Sequence, residues 1–339
     1  MSKKYDLIAV GEIMMRLSPA IGERLSNGKN FERYIGGAEF NVVAGVSNME
    51  LNTAMISVLP QNCIGDYARR IVRQYGVDDS NILNDNSKEA RLGVYYYENG
   101  ANPRKPSIAY DRLNSSFSRI NTNDLEENIF ESTKCFHTSG ITLGLNENCR
   151  KETIKLIKKF KEAGAVISFD VNYRMNLWSG EEARKAIEEI LPYVDIFFCS
   201  EDTAKLTFKK TGNIYEIIKS FCEEYPIKYF AATQRTVHSP KVHSFGSVLY
   251  NSSEEKFYEE EEYKNIEVVD RIGSGDSYVS GILYGLLSGK SCEEAVAIGN
   301  AMGAIKNTIS GDISCVTKNE IESIIKDHKN KSDRSEMVR

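Results

Sequence analysis

A chain of 339 residues is long enough to bury a substantial core as one large or two small domains. Its 41% hydrophobic and 27% charged residues are ordinary globular values, and a formal net charge of −5 speaks against a nucleic-acid binder, whose footprint is usually basic. The seven cysteines are odd in number, scattered and without a CxxC pair, which fits reduced thiols in a cytosol better than a disulfide framework or a zinc site.

Helix and strand patterns then alternate along the chain, the signature of an α/β protein with a central, largely parallel sheet. The first strand runs from Tyr5 to Val10; it is too short and too isolated to be a signal or a membrane span, so a cytoplasmic protein without a membrane partner is expected. Two segments break the alternation, about 12–35 and 91–112, the second with its Tyr95-Tyr96-Tyr97 run. Both are rich in β-formers without helical period, and strands outside the main sheet are expected there, as a flap that keeps water from a reaction. Lys151 to Ala163 predicts a helix and Ala165 to Asp170 a strand; Glu181 to Leu191 a helix and Val194 to Cys199 a strand. His137, near a strand end, reads as structural. Helix Ile214 to Glu224 leads to strand Lys228 to Thr233, with a further strand at Gly246 to Tyr250. The acidic run Glu259 to Glu262 reads as a solvated face, and 326–339 as a charged tail that frays, leaving 1–325 as the folded domain.

The densest signal is Asp270-Arg271-Ile272-Gly273-Ser274-Gly275-Asp276, followed by an amphipathic helix with Val279, Ile282, Leu283, Leu286 and Leu287 on one stripe. Glycines let successive backbone N–H groups converge, and a helix beginning there adds the positive end of its dipole, which makes an anion site. A carboxylate beside such a site makes chemical sense if Asp276 takes a proton from a hydroxyl while the loop neutralises a phosphoryl group. An ordinary strand-to-helix turn with a capping aspartate also fits the loop taken alone. Gly289 ends this helix, and Ser291 with Glu294 opens the next as a capping box. Gly285 to Ser291 resembles a P-loop only superficially, because its glycine spacing is one residue short and it lies at a helix C-terminus.

Two other constellations carry chemistry. Gly36-Gly37 allows close backbone approach, and Asn41, one helical turn on, offers a donor and an acceptor to a polyol. Asp170, Asn172 and Arg174 follow a predicted strand, where open α/β sheets place ligand groups, and continued extension would send all three to one side. The arginine suits a carboxylate or phosphate; a structural Asp–Arg pair is the other reading.

The early glycine pair with its asparagine and the late Asp-x-x-Gly-x-Gly-Asp string resemble the two signatures of the ribokinase-like, or phosphofructokinase-B, carbohydrate kinases, with agreement in order and spacing over roughly residues 5 to 325. The resemblance implies a Rossmann-like central, mostly parallel sheet flanked by helices with a small β-sheet lid, and ATP and Mg²⁺ as cofactors. It implies Asp276 as catalytic base and Gly273, Ser274 and Gly275 as the anion hole. The strings Gly11 to Pro19, Arg91 to Tyr96, Ala109 to Arg112, Asp170 to Trp178 and Ile309 to Asp312 are similar to the subgroup acting on 2-keto-3-deoxygluconate. Carried over, the substrate contacts fall on Gly36, Gly37, Asn41, Tyr95, Tyr110, Arg112, Asn172, Arg174 and Asp276. ATP contacts fall on Ser200, Thr233, Arg235, Gly273, Gly275 and Asn300. Where the family shows Asn-x-x-Glu to organise magnesium, this chain reads Ser200-Glu201-Asp202-Thr203, so Glu201 or Asp202 would have to substitute. The resemblance further implies a homo-oligomer joined through the lid. A kinase for fructose, ribose or a nucleoside and a non-catalytic sugar-acid sensor are the rival readings, the sensor disfavoured by the intact Asp276. A nicotinamide dehydrogenase would need Gly-x-Gly-x-x-Gly after the first strand, which Gly11-Glu12-Ile13 does not supply.

Overall fold

The computed structural model describes residues 3–330. The first third of the chain forms β1 (Tyr5–Val10), β2 (Met14–Ser18), β3 (Glu32–Gly36), α1 (Ala38–Asn48), β4 (Thr53–Pro60), α2 (Cys63–Gln74), β5 (Ile82–Asp85), β6 (Gly93–Glu98) and β7 (Ser107–Asp111). The middle forms β8 (Thr133–Ser139), α3 (Gly140–Gly144), α4 (Glu147–Glu162), β9 (Val166–Asp170), α5 (Gly180–Ile190), β10 (Ile196–Phe198), α6 (Glu201–Phe208) and α7 (Ile214–Glu224). The last third forms β11 (Tyr229–Ser239), β12 (Val242–Asn251), β13 (Lys256–Glu259), β14 (Tyr263–Glu267), α8 (Ser274–Leu287), α9 (Cys292–Lys306) and α10 (Lys318–Asn330).

The main sheet has the order β13-β12-β11-β10-β9-β8-β1-β4-β5, with β14 also paired to β12. From β11 to β5 every pairing is parallel; β12, β13 and β14 add an antiparallel edge. A parallel sheet covered on both faces needs strands that are apolar throughout. β1 shows this directly: Ile8 and Val10 enter one core with Phe136, Phe169 and helices α4, α5 and α7, while Leu7 and Ala9 enter the other with α1, α2 and α8. The two segments that break the alternation build a separate sheet of order β3-β2-β6-β7.

Several predicted bounds shift for identifiable reasons. α4 begins at Glu147, because the Asn146 side chain caps it by accepting from Cys149 N at 2.7 Å. β11 runs on to Ser239 and β12 starts at Val242, a hairpin whose outer part from Gln234 to His238 is exposed and therefore lacks an apolar pattern. α8 is buried on almost every side between α1 and α9, with Ser277 and Ser280 inside, so it is not a one-faced helix. The acidic run is not uniformly solvated: the Glu260 carboxylate is turned inward, 3.4 Å from Lys329 Nζ. Lys326 to Asn330 continue α10, and the rest of the predicted tail, 331–339, lies outside the described residues. His137 is structural, buried with Nδ1 2.9 Å from Ser168 Oγ. Among the described residues no helix is long and apolar enough to cross a membrane.

Candidate active site

The carboxyl ends of β1, β9, β10 and β11 meet the lid sheet and the start of α8 around a cavity of about 540 Å³. This is the place where open α/β sheets bind ligands. Met14, Tyr95, Ile108, Tyr110 and Arg112 reach it from the lid segments.

Two glycines shape its floor. Gly37 caps α1 at φ +147°, and a Cβ there would lie 2.2 Å from the carbonyl oxygen of Glu12. Only glycine lets the helix start this close to the strand. One turn on, Asn41 Nδ2 donates to Asp276 Oδ2 at 2.7 Å. Gly273 begins α8 at φ +79°, where a Cβ would lie 1.8 Å from the carbonyl oxygen of Asp312. Of the first-turn N–H groups of α8, Ser277 N donates to Gly273 O at 2.8 Å and Ser274 N reaches Arg271 O only at 3.4 Å, while those of Gly275 and Asp276, which line the cavity, have no carbonyl partner among the described residues. Ser274 contributes backbone only, because its hydroxyl donates to Gly303 O at 2.9 Å, inside the protein.

Burial raises the pKa of Asp276, opposed by the Asn41 hydrogen bond and by Arg174 and Lys306. Asp170 is pushed up to about 7, by burial first and then by the charge of Asp276. Glu39 is buried behind them and raised by burial, accepting from Ser139 Oγ at 2.6 Å and Thr142 Oγ1 at 2.7 Å. Arg174, Arg235 and Arg271 share the cavity with these carboxylates; desolvation and the other two guanidinium groups push the Arg235 pKa down.

Beneath the loop lies a buried ionic cluster. Arg16 is 1% exposed and donates to Asp270 at 2.6 Å and to Asp312 at 3.3 Å, between the rings of Tyr34 and Tyr97. Asp270 also accepts from Gly311 N at 3.0 Å and Ile272 N at 3.1 Å. Lys306, fully buried, donates to the carbonyls of Asp270 at 3.3 Å and Ile309 at 2.8 Å, and burial lowers its pKa to about 8. Breaking one partner of such a cluster costs about 3–5 kcal/mol, so it holds the loop rigidly.

Of the sequence-predicted residues, Gly37, Asn41, Tyr95, Tyr110, Arg112, Asn172, Arg174, Ser200, Asp202, Thr233, Arg235, Gly273, Ser274, Gly275 and Asp276 all line the cavity. Three do not. Gly36 packs against Asp312, Asn300 is buried with Oδ1 accepting from Ser247 at 2.6 Å, and Glu201 is paired with Lys205 on the surface of α6. Extension does not persist past Asp170: Asn172 takes φ +37°, and Arg174 donates to the carbonyls of Asn172 and Tyr173 instead of pairing with Asp170. Arg112 is not a free cation, because Glu12 accepts from its Nε at 2.8 Å and from its Nη2. The Tyr95 hydroxyl is likewise engaged, by Asp312. Glu12, Arg16, Asp312 and Arg271 stand inside the quoted strings without a role there, since the partners of Glu12 and Arg16 lie far away in the chain, and Lys306 lies outside those strings.

Magnesium fits the donor set only in a limited way. Among the described residues no group of three or more acidic, histidine or cysteine side chains could hold a metal. Asp202, exposed at the start of α6 and lining the cavity, is a single open carboxylate, which suits an ion held mainly by nucleotide phosphates and water.

The model of the pfkB family carbohydrate kinases matches residues 4–319. The 2-dehydro-3-deoxygalactonokinase of Haloferax volcanii is 32% identical over 321 residues, covering 95% of this chain and 96% of that one. The crystal structure of 2-dehydro-3-deoxygluconokinase from Thermotoga maritima superposes with a TM-score of 0.89 at 30% identity, covering 95% and 99% of the two chains. A PfkB family carbohydrate kinase from Listeria grayi gives 0.90 at 33%, covering 95% and 100%. With this agreement of sequence and fold, and a glycine loop opening a helix beside a carboxylate, the chain belongs to the pfkB family and is an ATP-dependent carbohydrate kinase.

Proposed function

We propose that this kinase phosphorylates the terminal hydroxyl of a 2-keto-3-deoxy sugar acid, with 2-keto-3-deoxygluconate as substrate. The observation that carries the reading is Arg174, a guanidinium in the cavity whose hydrogen bonds among the described residues go to backbone carbonyls and to no carboxylate. A neutral sugar has no use for it, whereas a substrate carboxylate gains charge-assisted hydrogen bonds. Glu12 Oε1 and Asn41 Oδ1 are buried without partners among the described residues, acceptors that suit the hydroxyls of a polyol. The relatives named for keto-deoxy sugar acids support the same class.

In this reading Asp276 accepts the hydroxyl proton as that oxygen bonds to the γ-phosphorus, and the bond to the β-phosphate oxygen breaks, with ADP keeping the electron pair. The amides of Gly273 to Gly275 meet the equatorial oxygens, and Arg235, Thr233 and Ser200 line the nucleotide side. Magnesium, held chiefly by the phosphates with Asp202 as the protein carboxylate, would neutralise phosphate charge. Tyr110 and the lid exclude water. All five residues of β7 are exposed at the edge of the lid sheet, which supports pairing of two copies there, and the seven free cysteines support a reducing, cytoplasmic setting.

The experiment is ADP release over a panel holding both epimeric keto-deoxy acids, fructose, ribose and nucleosides, for wild type and Arg174→Met. A sugar acid should be preferred, and the variant should lose about 10- to 100-fold in kcat/KM for it with little change for ATP. Preference for a neutral sugar, or selective loss of ATP binding in the variant, overturns the assignment.

A further inference from the structure

A second cavity, of about 690 Å³, lies between the lid turn 99–106 and the tip of the β11–β12 hairpin. Lys105, Lys241 and Arg271 line it together with His238 and His243, and no aspartate or glutamate is among its lining residues. None of the three cations makes an ion pair among the described residues, although the chain carries more acidic than basic side chains overall. Lys105 and Lys241 are exposed and Arg271 is half-buried, and three unpaired positive charges around one open cavity raise the local potential that draws in an anion.

Further observations narrow the ligand. His243 is buried and its Nδ1 has no hydrogen-bond partner among the described residues. Burial and the facing Arg235, Arg271 and His238 hold its pKa down to about 4 against a backbone hydrogen bond at Ser239, so the ring is neutral and Nδ1 is the atom left to take part in a further hydrogen bond. Val237, Val268 and Val269 form an apolar wall on the same cavity. A guanidinium fork and two ammonium groups suit a phosphate, and the apolar wall suits a carbon moiety attached to it. Arg271 lines this cavity and the active-site cavity alike, two residues before Gly273. We propose that the second cavity binds a phosphate monoester, whose occupancy engages Arg271 and slows phosphoryl transfer.

The test uses glycerol 3-phosphate and inorganic phosphate as probes at constant ionic strength, on wild type and the Lys105→Gln, Lys241→Gln double variant. Neither lysine belongs to the reaction cavity, so the unliganded kcat and KM should be unchanged. Glycerol 3-phosphate should raise the melting temperature of the wild type, and the double variant should need about tenfold more for the same shift. This arm needs no sugar substrate, so it stands apart from the substrate assignment. With whichever sugar is turned over, the ester should lower the rate at saturating ATP, and the double variant should resist. Equal responses of the two proteins, or inhibition that excess ATP removes, would overturn the proposal. Inorganic phosphate binding as tightly as the ester would overturn the part given to the apolar wall.

Discussion

The charge of Asp276 makes Asp170 harder to ionise, while burial is what raises Asp276 itself. A base must be ionised to work, so kcat/KM should fall as the pH drops through a value above the ordinary carboxylate range. Asp276→Asn should lower kcat on the order of 10²-fold or more while ATP still binds, measured by steady-state kinetics and nucleotide titration. Turnover within a few-fold of wild type would refute the base. The acid limb should persist in Asp170→Asn, because it belongs to Asp276; its loss would assign the limb to Asp170, whose pKa is pushed up to about 7. The metal residues separate in the same way. Asp202→Asn should raise the magnesium needed for half-maximal rate, while Glu201→Gln, whose carboxylate is spent on Lys205, should leave it alone. The two are told apart by a magnesium titration at fixed ATP. A chain position could nominate both carboxylates, but only the helical turn beginning at Glu201 decides which one faces the cavity.

The two glycines of the α8 loop make opposite demands. Gly273 sits at positive φ with the Asp312 carbonyl where a Cβ would be, whereas a Cβ on Gly275 meets nothing within 4 Å. Gly273→Ala should therefore destabilise the protein by roughly 1–3 kcal/mol and cut activity. Gly275→Ala should keep the melting temperature, and a thermal melt beside a rate assay distinguishes them. Equal melting temperatures would mean that the loop relaxes freely. Elements of this kind were legible where chemistry is local. The capping box of Ser291 and Glu294 is read from four residues, and it forms as written. β1 and α7 have the predicted bounds because apolar runs and breakers mark them. The hairpin of β11 and β12 was cut short in the reading because its polar outer half is held by cross-strand backbone bonds that leave no hydrophobic trace. The same reason hid the second cavity, which exists only where that hairpin tip approaches the lid.

At the scale of the molecule, the parallel sheet and the separate lid follow from alternation and from its two interruptions. The site could be nominated from three short strings, yet its electrostatics could not. Arg16 meets its partners at Asp270 and Asp312 across 254 and 296 residues, and a strand pattern gives no sign that such an arginine is buried. Arg112 likewise read as a substrate cation because nothing local points to Glu12, 100 residues away.

The hydrogen bond from Asn41 to Asp276 joins positions 235 residues apart, and that separation has a consequence in time. At synthesis rates of about 5–20 residues per second, the early half of the site waits roughly 10–50 s for its base. Closing so long a loop also makes this contact a late step in refolding from denaturant. Trp178, the single tryptophan, packs instead against Gly140 and Gly144, within a stretch of fewer than forty residues. Its fluorescence should recover before activity does in a dilution experiment followed by both signals. Activity returning ahead of the fluorescence would show that the two ends of the chain dock first. The enzyme is thus silent during most of its own assembly, and it becomes competent only when its last hundred residues have closed over its first fifty.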